Sequence, residues 1–113
     1  MVGWFEIPVS DMDRAKQFYE TVFNIEIKVQ DFGGTLMGWF PDNKGVYGAT
    51  GSLIQQESYV PSEKGTLVYF MSNDVQVELN RVVAAGGKMK TIQNARIIAN
   101  RTNKYHIINR ATV

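Results

Sequence analysis

The chain has 113 residues, of which 44% are hydrophobic, 12% aromatic and 20% charged, and its formal net charge is +1. These values are typical of one folded domain, and they exclude disordered, collagen-like and multidomain chains. No apolar run approaches the roughly 20 residues that span a bilayer, and the N-terminus lacks a secretory pattern. The chain has no cysteine, which excludes disulfides and thiol catalysis. We therefore expect a cytoplasmic, single-domain protein.

The small net charge conceals an uneven distribution. Residues 1–78 contain all eleven acids and five Lys or Arg, for a net charge of −6, whereas residues 79–113 contain seven Lys or Arg and no acid. A basic tail can bind nucleic acid or an acidic partner, or it can pack against the acidic part of the same domain. Because no dense basic run, RNA-binding aromatic motif or zinc-finger pattern occurs, we expect no nucleic-acid partner and no membrane partner.

The first half of the chain contains sequence patterns typical of strands, a helix and a turn, in a definite order. An apolar run ends at Ser10-Asp11, a pair that commonly starts helices, and apolar residues then recur at three- and four-residue steps. Alternating apolar residues around a Gly33-Gly34 turn follow, and they predict half-buried strand and hairpin structure. The predicted elements are a strand over 4–9, a helix over 12–23, and strands over 25–30, 35–40 and 51–55. This half therefore has the order βαβββ.

The same order of signals begins again after a polar linker. A second apolar run over 67–71 precedes Asp74, and aligning Asp11 with Asp74 superimposes the two strands and the two helices that follow. An internal repeat of two βαβββ modules is the simplest explanation. The predicted boundaries are 1–58 for module one, 59–65 for the linker and 66–113 for module two.

The second predicted helix ends at Gly86-Gly87, a pair that favours a left-handed cap. Candidate strands behind this helix lie at 88–92, 95–99 and 104–108. These strand signals are weaker than those of the first module.

The opening segment resembles one known superfamily. Residues 3–19, GWFEIPVSDMDRAKQFY, look like the start of the vicinal oxygen chelate superfamily, the glyoxalase, bleomycin-resistance and extradiol-dioxygenase group. YVPS at 59–62, GTLVYF at 65–70 and AAGGK at 84–88 are similar to its small bacterial branch. The resemblance implies an α+β fold whose two modules form a curved mixed sheet with a cleft. It implies no single reaction, because one fold hosts many chemistries.

The C-terminal residues depart from the pattern of this superfamily. Relatives carry an Asp-x-x-Gly-Asn segment before the last strand, and Thr91–Val113 contains none, although it has four Asn and five Ile. We therefore expect atypical C-terminal strands. Our hypothesis is that a shifted reading frame replaced the native ones, which would also remove any site residue on the last strand.

The resemblance further implies a divalent metal in catalytic members, held by His, Gln or Glu. A His usually lies seven residues before the helix-starting Asp of each module, where this chain has Trp4 and Leu67. Neither side chain can ligate a metal. Glu57 lies just beyond the last-strand ligand position of module one, no acid follows Glu78, and His106 is the only histidine. We therefore predict no metal and no other cofactor.

Strand alternation predicts the residues that line the cleft. If position 4 faces the cleft, as the family's ligand position does, Glu6 faces it too, and the residues between them pack on the first helix. A carboxylate among aromatic groups is suited to bind a cation or to act as a base. The alternative is that Glu6 pairs with a neighbouring Lys or Arg or lies at a solvated rim. The predicted ligand-binding residues are Trp4, Glu6, Trp39, Tyr47, Leu67 and Tyr69.

Two functions agree with these features. The first is a glyoxalase/bleomycin-resistance-like protein that binds a small organic molecule without a catalytic metal. The alternative is a metal-dependent lyase or isomerase of the same superfamily, with a site made incomplete by the altered C-terminus. The resemblance also implies a homodimer, because the superfamily commonly completes its clefts between subunits.

Overall fold

The computed structural model describes residues 2–42, 44–45, 48–61, 68–72, 74–87, 95–96 and 105–109. Within these ranges the fold is α+β, as the sequence predicted, with a mixed four-stranded sheet, a three-stranded sheet and two helices. The elements are β1 (Phe5–Pro8), α1 (Met12–Phe23), β2 (Lys28–Asp31), β3 (Leu36–Trp39), β4 (Gly51–Gln55), β5 (Val68–Ser72), α2 (Val75–Val82), β6 (Ala95–Arg96) and β7 (Tyr105–Asn109).

The four-stranded sheet is built by module one, in the predicted order βαβββ. Its strand order is β1-β4-β3-β2, with β1 parallel to β4 and the other pairs antiparallel. Helix α1 covers one face, where Ile7 of β1 and Leu53 of β4 are 3% and 0% exposed. The residues that alternate with Ile7 and Leu53 along these strands therefore face away from α1.

Helix α1 begins and ends where its sequence predicts. The Asp11 carboxylate accepts a hydrogen bond from the Arg14 backbone N–H at 3.2 Å, which satisfies a free donor of the first turn. Asn24 ends the helix in the left-handed conformation, with φ of 53°. The helix buries one stripe of side chains, namely Met12, Ala15, Phe18, Tyr19 and Val22.

The prediction of a half-buried strand over 25–30 is wrong in two respects. Strand β2 begins only at Lys28, and all four of its residues are exposed, because β2 lies at the edge of the sheet. The buried residue is Ile27, which precedes the strand and is 2% exposed. The Gly33-Gly34 turn that follows is confirmed, with φ of 67° and 101°.

Glu20 connects α1 to this segment and makes folding pH-dependent. The Glu20 carboxylate accepts a hydrogen bond from the Ile27 backbone N–H at 2.9 Å and one from Lys16 Nζ at 3.0 Å. The Ile27 hydrogen bond first, and then Lys16, lower the pKa of Glu20 below its ordinary value of 4.5, against an opposing effect of burial. The ionised carboxylate therefore stabilises the fold above the ordinary pKa, and this stabilisation is lost as the pH falls through the lowered one.

We expect Glu20→Gln to lower the free energy of unfolding by about 1 kcal/mol at pH 7, the usual net value of a hydrogen bond. The difference from the unmodified chain should shrink at low pH, where Glu20 itself is protonated. Urea unfolding at pH 7 and at acidic pH measures both values, with the exposed Glu26→Gln as the control. An equal difference at both pH values would contradict the assigned role of the carboxylate.

The second module repeats the strand-and-helix start of the first. Asp74 caps α2 by accepting a hydrogen bond from the Gln76 backbone N–H at 3.1 Å, as Asp11 does for α1. After α2, the N–H groups of Gly86 and Gly87 donate to the carbonyls of Val83 and Val82 at 3.0 and 2.9 Å. Because Gly86 has a φ of 90°, the predicted left-handed cap is confirmed.

The described C-terminal strands pair differently from the strands of the first module. Strand β7 pairs antiparallel with β5, whereas the last strand of module one pairs parallel with β1. β7 overlaps the predicted strand at 104–108, and β6 falls inside the one predicted at 95–99. The strand predicted over 88–92 lies outside the described residues. The domain boundaries and the shifted reading frame stay predictions.

Phe70 of β5 joins the two modules. Its ring centroid lies 4.8 Å from that of Phe23, 5.7 Å from that of Phe40 and 5.9 Å from that of Phe5. Successive side chains of a strand point to opposite faces, so Tyr69 lies on the other face of β5 from this aromatic cluster.

Candidate functional site

A cavity of about 520 Å³ lies on the face of the four-stranded sheet opposite α1. Its volume falls within the roughly 300–1,000 Å³ of ordinary small-molecule pockets. The residues that line it are Trp4, Glu6, Met37, Trp39, Phe40, Asp42 and Thr50. The cavity is formed by β1 and β3 together with the chain on either side of the β3–β4 loop.

The alternation predicted for β1 accounts for the residues that this strand contributes to the cavity. Ile7 and Val9 are 3% and 7% exposed and belong to the core, whereas Trp4 and Glu6 are exposed and line the cavity. On β3 the same rule applies to Trp39, which lies next to the buried Gly38 and points to the opposite face. Three predicted site residues, Trp4, Glu6 and Trp39, therefore line one cavity.

Trp4 and Trp39 form an aromatic pair at this cavity. Their ring centroids are 6.0 Å apart and their planes make an angle of 78°, which is an edge-to-face arrangement. Although they contact each other, the two residues remain 43% and 42% exposed. They are also the only tryptophans in the chain. Exposed aromatic surface in a concave site is typical of a binding surface.

The charged residues of the cavity are acidic. Glu6 and Asp42 line it, and no lining residue among those described is Lys or Arg. The Asp42 carboxylate accepts a hydrogen bond from the Lys44 backbone N–H at 3.1 Å. This bond lies within the loop between β3 and β4, which contains both residues. Glu6 is exposed, and within the described part of the chain no ion pair or hydrogen bond holds it. The cavity therefore offers a carboxylate beside aromatic rings, at a position open to solvent.

The other predicted site residues lie elsewhere. Tyr69 is 38% exposed on β5 and is not among the residues that line this cavity. Tyr47 and Leu67 lie outside the described residues. Their roles in ligand binding stay predictions.

Sequence reasoning missed four lining residues, namely Met37, Phe40, Asp42 and Thr50. Met37 lies two residues before Trp39, so strand alternation could have identified it. Thr50 could not be identified in this way, because the Thr50 hydroxyl donates to the Pro41 carbonyl at 2.8 Å and closes a loop whose shape no local pattern encodes.

The described residues do not fit the metal site of the catalytic relatives. Trp4, at the expected histidine position, has an indole N–H that donates but has no free lone pair to ligate a metal. In the described part of the chain no group of three or more His, Cys, Asp or Glu could hold a metal ion. Among the described residues that line the cavity, two carry carboxylates, Glu6 and Asp42.

Neither described helix is long and apolar enough to cross a membrane. The cytoplasmic location stays a prediction.

Comparison with known proteins agrees with the fold. Residues 2–37 match the family model described as bleomycin resistance protein-like N-terminal. The matched segment contains β1 with Trp4 and Glu6, the whole of α1 and β2, and the first residues of β3. The match confirms the resemblance and supports membership of the glyoxalase/bleomycin-resistance, or vicinal oxygen chelate, superfamily. A search of curated proteins found no match.

Proposed function

We propose that the chain binds a small organic cation with an aromatic or apolar group in the cavity formed by Trp4, Glu6 and Trp39, without a catalytic metal. One observation carries this proposal: an exposed pair of tryptophans lines the same cavity as a carboxylate that has no partner among the described residues. The superfamily match supports a cleft-binding fold but names no ligand for this chain.

The charges of the residues that line the cavity favour a cation over an anion as the ligand. Two carboxylates without a described basic neighbour in the cavity produce a negative potential, which attracts cations and repels anions. The face of a tryptophan ring adds about 0.5–2 kcal/mol of attraction for a cation. An aromatic or apolar group on the ligand would increase the affinity further, because it would bury the exposed surface of the two rings.

A matched series of probes tests this proposal by thermal shift. The three probes are 2-phenylethylamine, 2-phenylethanol and 3-phenylpropionate, which share a phenyl group and differ in charge. We expect the amine to raise the Tm, the alcohol to raise it less, and the anion not to raise it, because only the amine pairs with Glu6. Equal shifts by all three, or a larger shift by the anion, would contradict the proposal.

The alternative function, a metal-dependent lyase or isomerase, has only the superfamily match in its favour. Elemental analysis of the purified protein separates the two functions. We expect less than stoichiometric zinc, nickel, manganese or iron. A stoichiometric metal that survives dialysis would favour the enzyme and contradict the metal-free site.

A homodimer is part of the same proposal. Strand β2 is an edge strand in the described sheet, and Val29 on it and Phe32 after it are 38% and 53% exposed. Such an edge can pair with a second copy. We expect light scattering to give twice the monomer mass of 12.8 kDa. A single species at the monomer mass across a range of concentrations would refute the dimer.

A further inference from the structure

Ser52 lies at the centre of the sheet, on the cleft face. In the strand register, Ser52 of β4 is the partner of Glu6 on β1 and of Trp39 on β3. Directly paired residues of neighbouring strands have side chains on the same face. The hydroxyl of Ser52 therefore lies between the carboxylate and one of the two aromatic rings of the proposed binding site.

The Ser52 hydroxyl is buried and unsatisfied. Ser52 is 0% exposed, and its Oγ has no hydrogen-bond partner among the described residues. Leaving a buried hydroxyl unpaired costs about 1–3 kcal/mol, so an alanine would fold at least as well here. A polar atom that weakens the fold in this way points to a role in binding.

Trp4 and Trp39 flank β4, the strand that carries Ser52, which is not itself among the residues that line the cavity. They come from the β1 and β3 sides of β4, and their centroids are only 6.0 Å apart, so the rings meet over β4. An edge-to-face contact contributes about 0.5–1.5 kcal/mol, which a ligand inserted between the rings can replace. Separation of the rings would open a path to the hydroxyl.

We infer that Ser52 Oγ accepts a hydrogen bond from an ammonium group of the ligand whose second N–H pairs with Glu6. This inference rests on the proposed function and deepens it. Neighbouring strands are about 4.8 Å apart, and a tetrahedral nitrogen that donates two hydrogen bonds of about 2.9 Å holds its two acceptors about 4.7 Å apart. The site therefore selects primary and secondary amines over quaternary ammonium ions, which have no N–H to donate.

Calorimetric titration with two probes tests this selectivity. We expect the chain to bind 2-phenylethylamine more tightly than trimethyl(2-phenylethyl)ammonium. Ser52→Ala should weaken binding of the primary amine by about tenfold or more, because hydrogen bonds to charged groups contribute about 1.5–3 kcal/mol. The same change should leave the quaternary probe unaffected and the Tm equal or higher. The exposed Ser58→Ala is the matched control.

The outcomes separate this inference from the proposed function. If both probes bind and Ser52→Ala weakens neither, or weakens both equally, the role of Ser52 is overturned while cation binding stands. If the unmodified chain binds neither probe, the proposed function itself fails. Ser52→Cys, which has a slightly larger side chain and a weaker acceptor, gives the same test should the alanine variant not fold.

Discussion

Glu6→Gln is expected to weaken binding of 2-phenylethylamine by at least about tenfold while leaving the Tm nearly unchanged. The loss follows because the variant removes the carboxylate that faces the cationic group, and charge-assisted hydrogen bonds are roughly twice as strong as neutral ones. The Tm should hold because Glu6 is exposed and has no ion-pair or hydrogen-bond partner within the described residues. Calorimetric titration and a thermal melt measure the two quantities.

The control for this change is Glu26→Gln, which removes the same charge from an exposed position outside the cavity. It should leave binding within a factor of about two, because solvent and salt screen distant exposed charges. Equal losses of affinity in the two variants would mean that net charge, and not the position of Glu6, attracts the cation. In that case the assignment of Glu6 to the site would be wrong.

Gly51→Ala is expected to lower the free energy of unfolding strongly. A Cβ at Gly51 would collide with the Phe5 carbonyl oxygen and lie 2.7 Å from the Phe5 ring, because β4 approaches β1 closely at this point. Phe5 cannot move freely, since its ring packs against Phe40 and Phe70. Overpacking of this kind costs about 1–3 kcal/mol, and we expect a value at the upper end or beyond.

Urea unfolding of Gly51→Ala measures this loss, and Gly3→Ala is its control. A Cβ at Gly3 meets nothing within 4 Å, so that change should alter stability by no more than about 0.5 kcal/mol. If the two variants prove equally stable, the close parallel pairing of β1 with β4, on which the position of Glu6 depends, is incorrect.

The elements of module one could be predicted because their signals are local. Asp11 caps α1, the apolar stripe from Met12 to Val22 repeats with the helical period, and Gly33-Gly34 forms the hairpin turn. The exposure of β2 could not be predicted in this way. Whether a strand with alternating residues is half-buried depends on its place in the sheet, and the edge position of β2 follows from the order β1-β4-β3-β2.

The candidate site was predicted in part for the same reason. Alternation along one strand was enough to bring Glu6 to the face that Trp4 occupies, and Trp39 joins them through the pairing of β3 with β4. Ser52 was not identified because serine in a strand has no distinctive local pattern. Only the register, which aligns it with both Glu6 and Trp39, reveals its position.

The most direct measurement is a fluorescence titration, because the chain's only two tryptophans, Trp4 and Trp39, both line the cavity. With 2-phenylethylamine we predict a saturable change in emission whose Kd equals the calorimetric value. Trp4→Phe and Trp39→Phe, which each leave one reporter, should both retain a change, and Glu6→Gln should shift it to amine concentrations at least about tenfold higher. Binding that calorimetry detects without any change in tryptophan emission would contradict the claim that this cavity holds the cation.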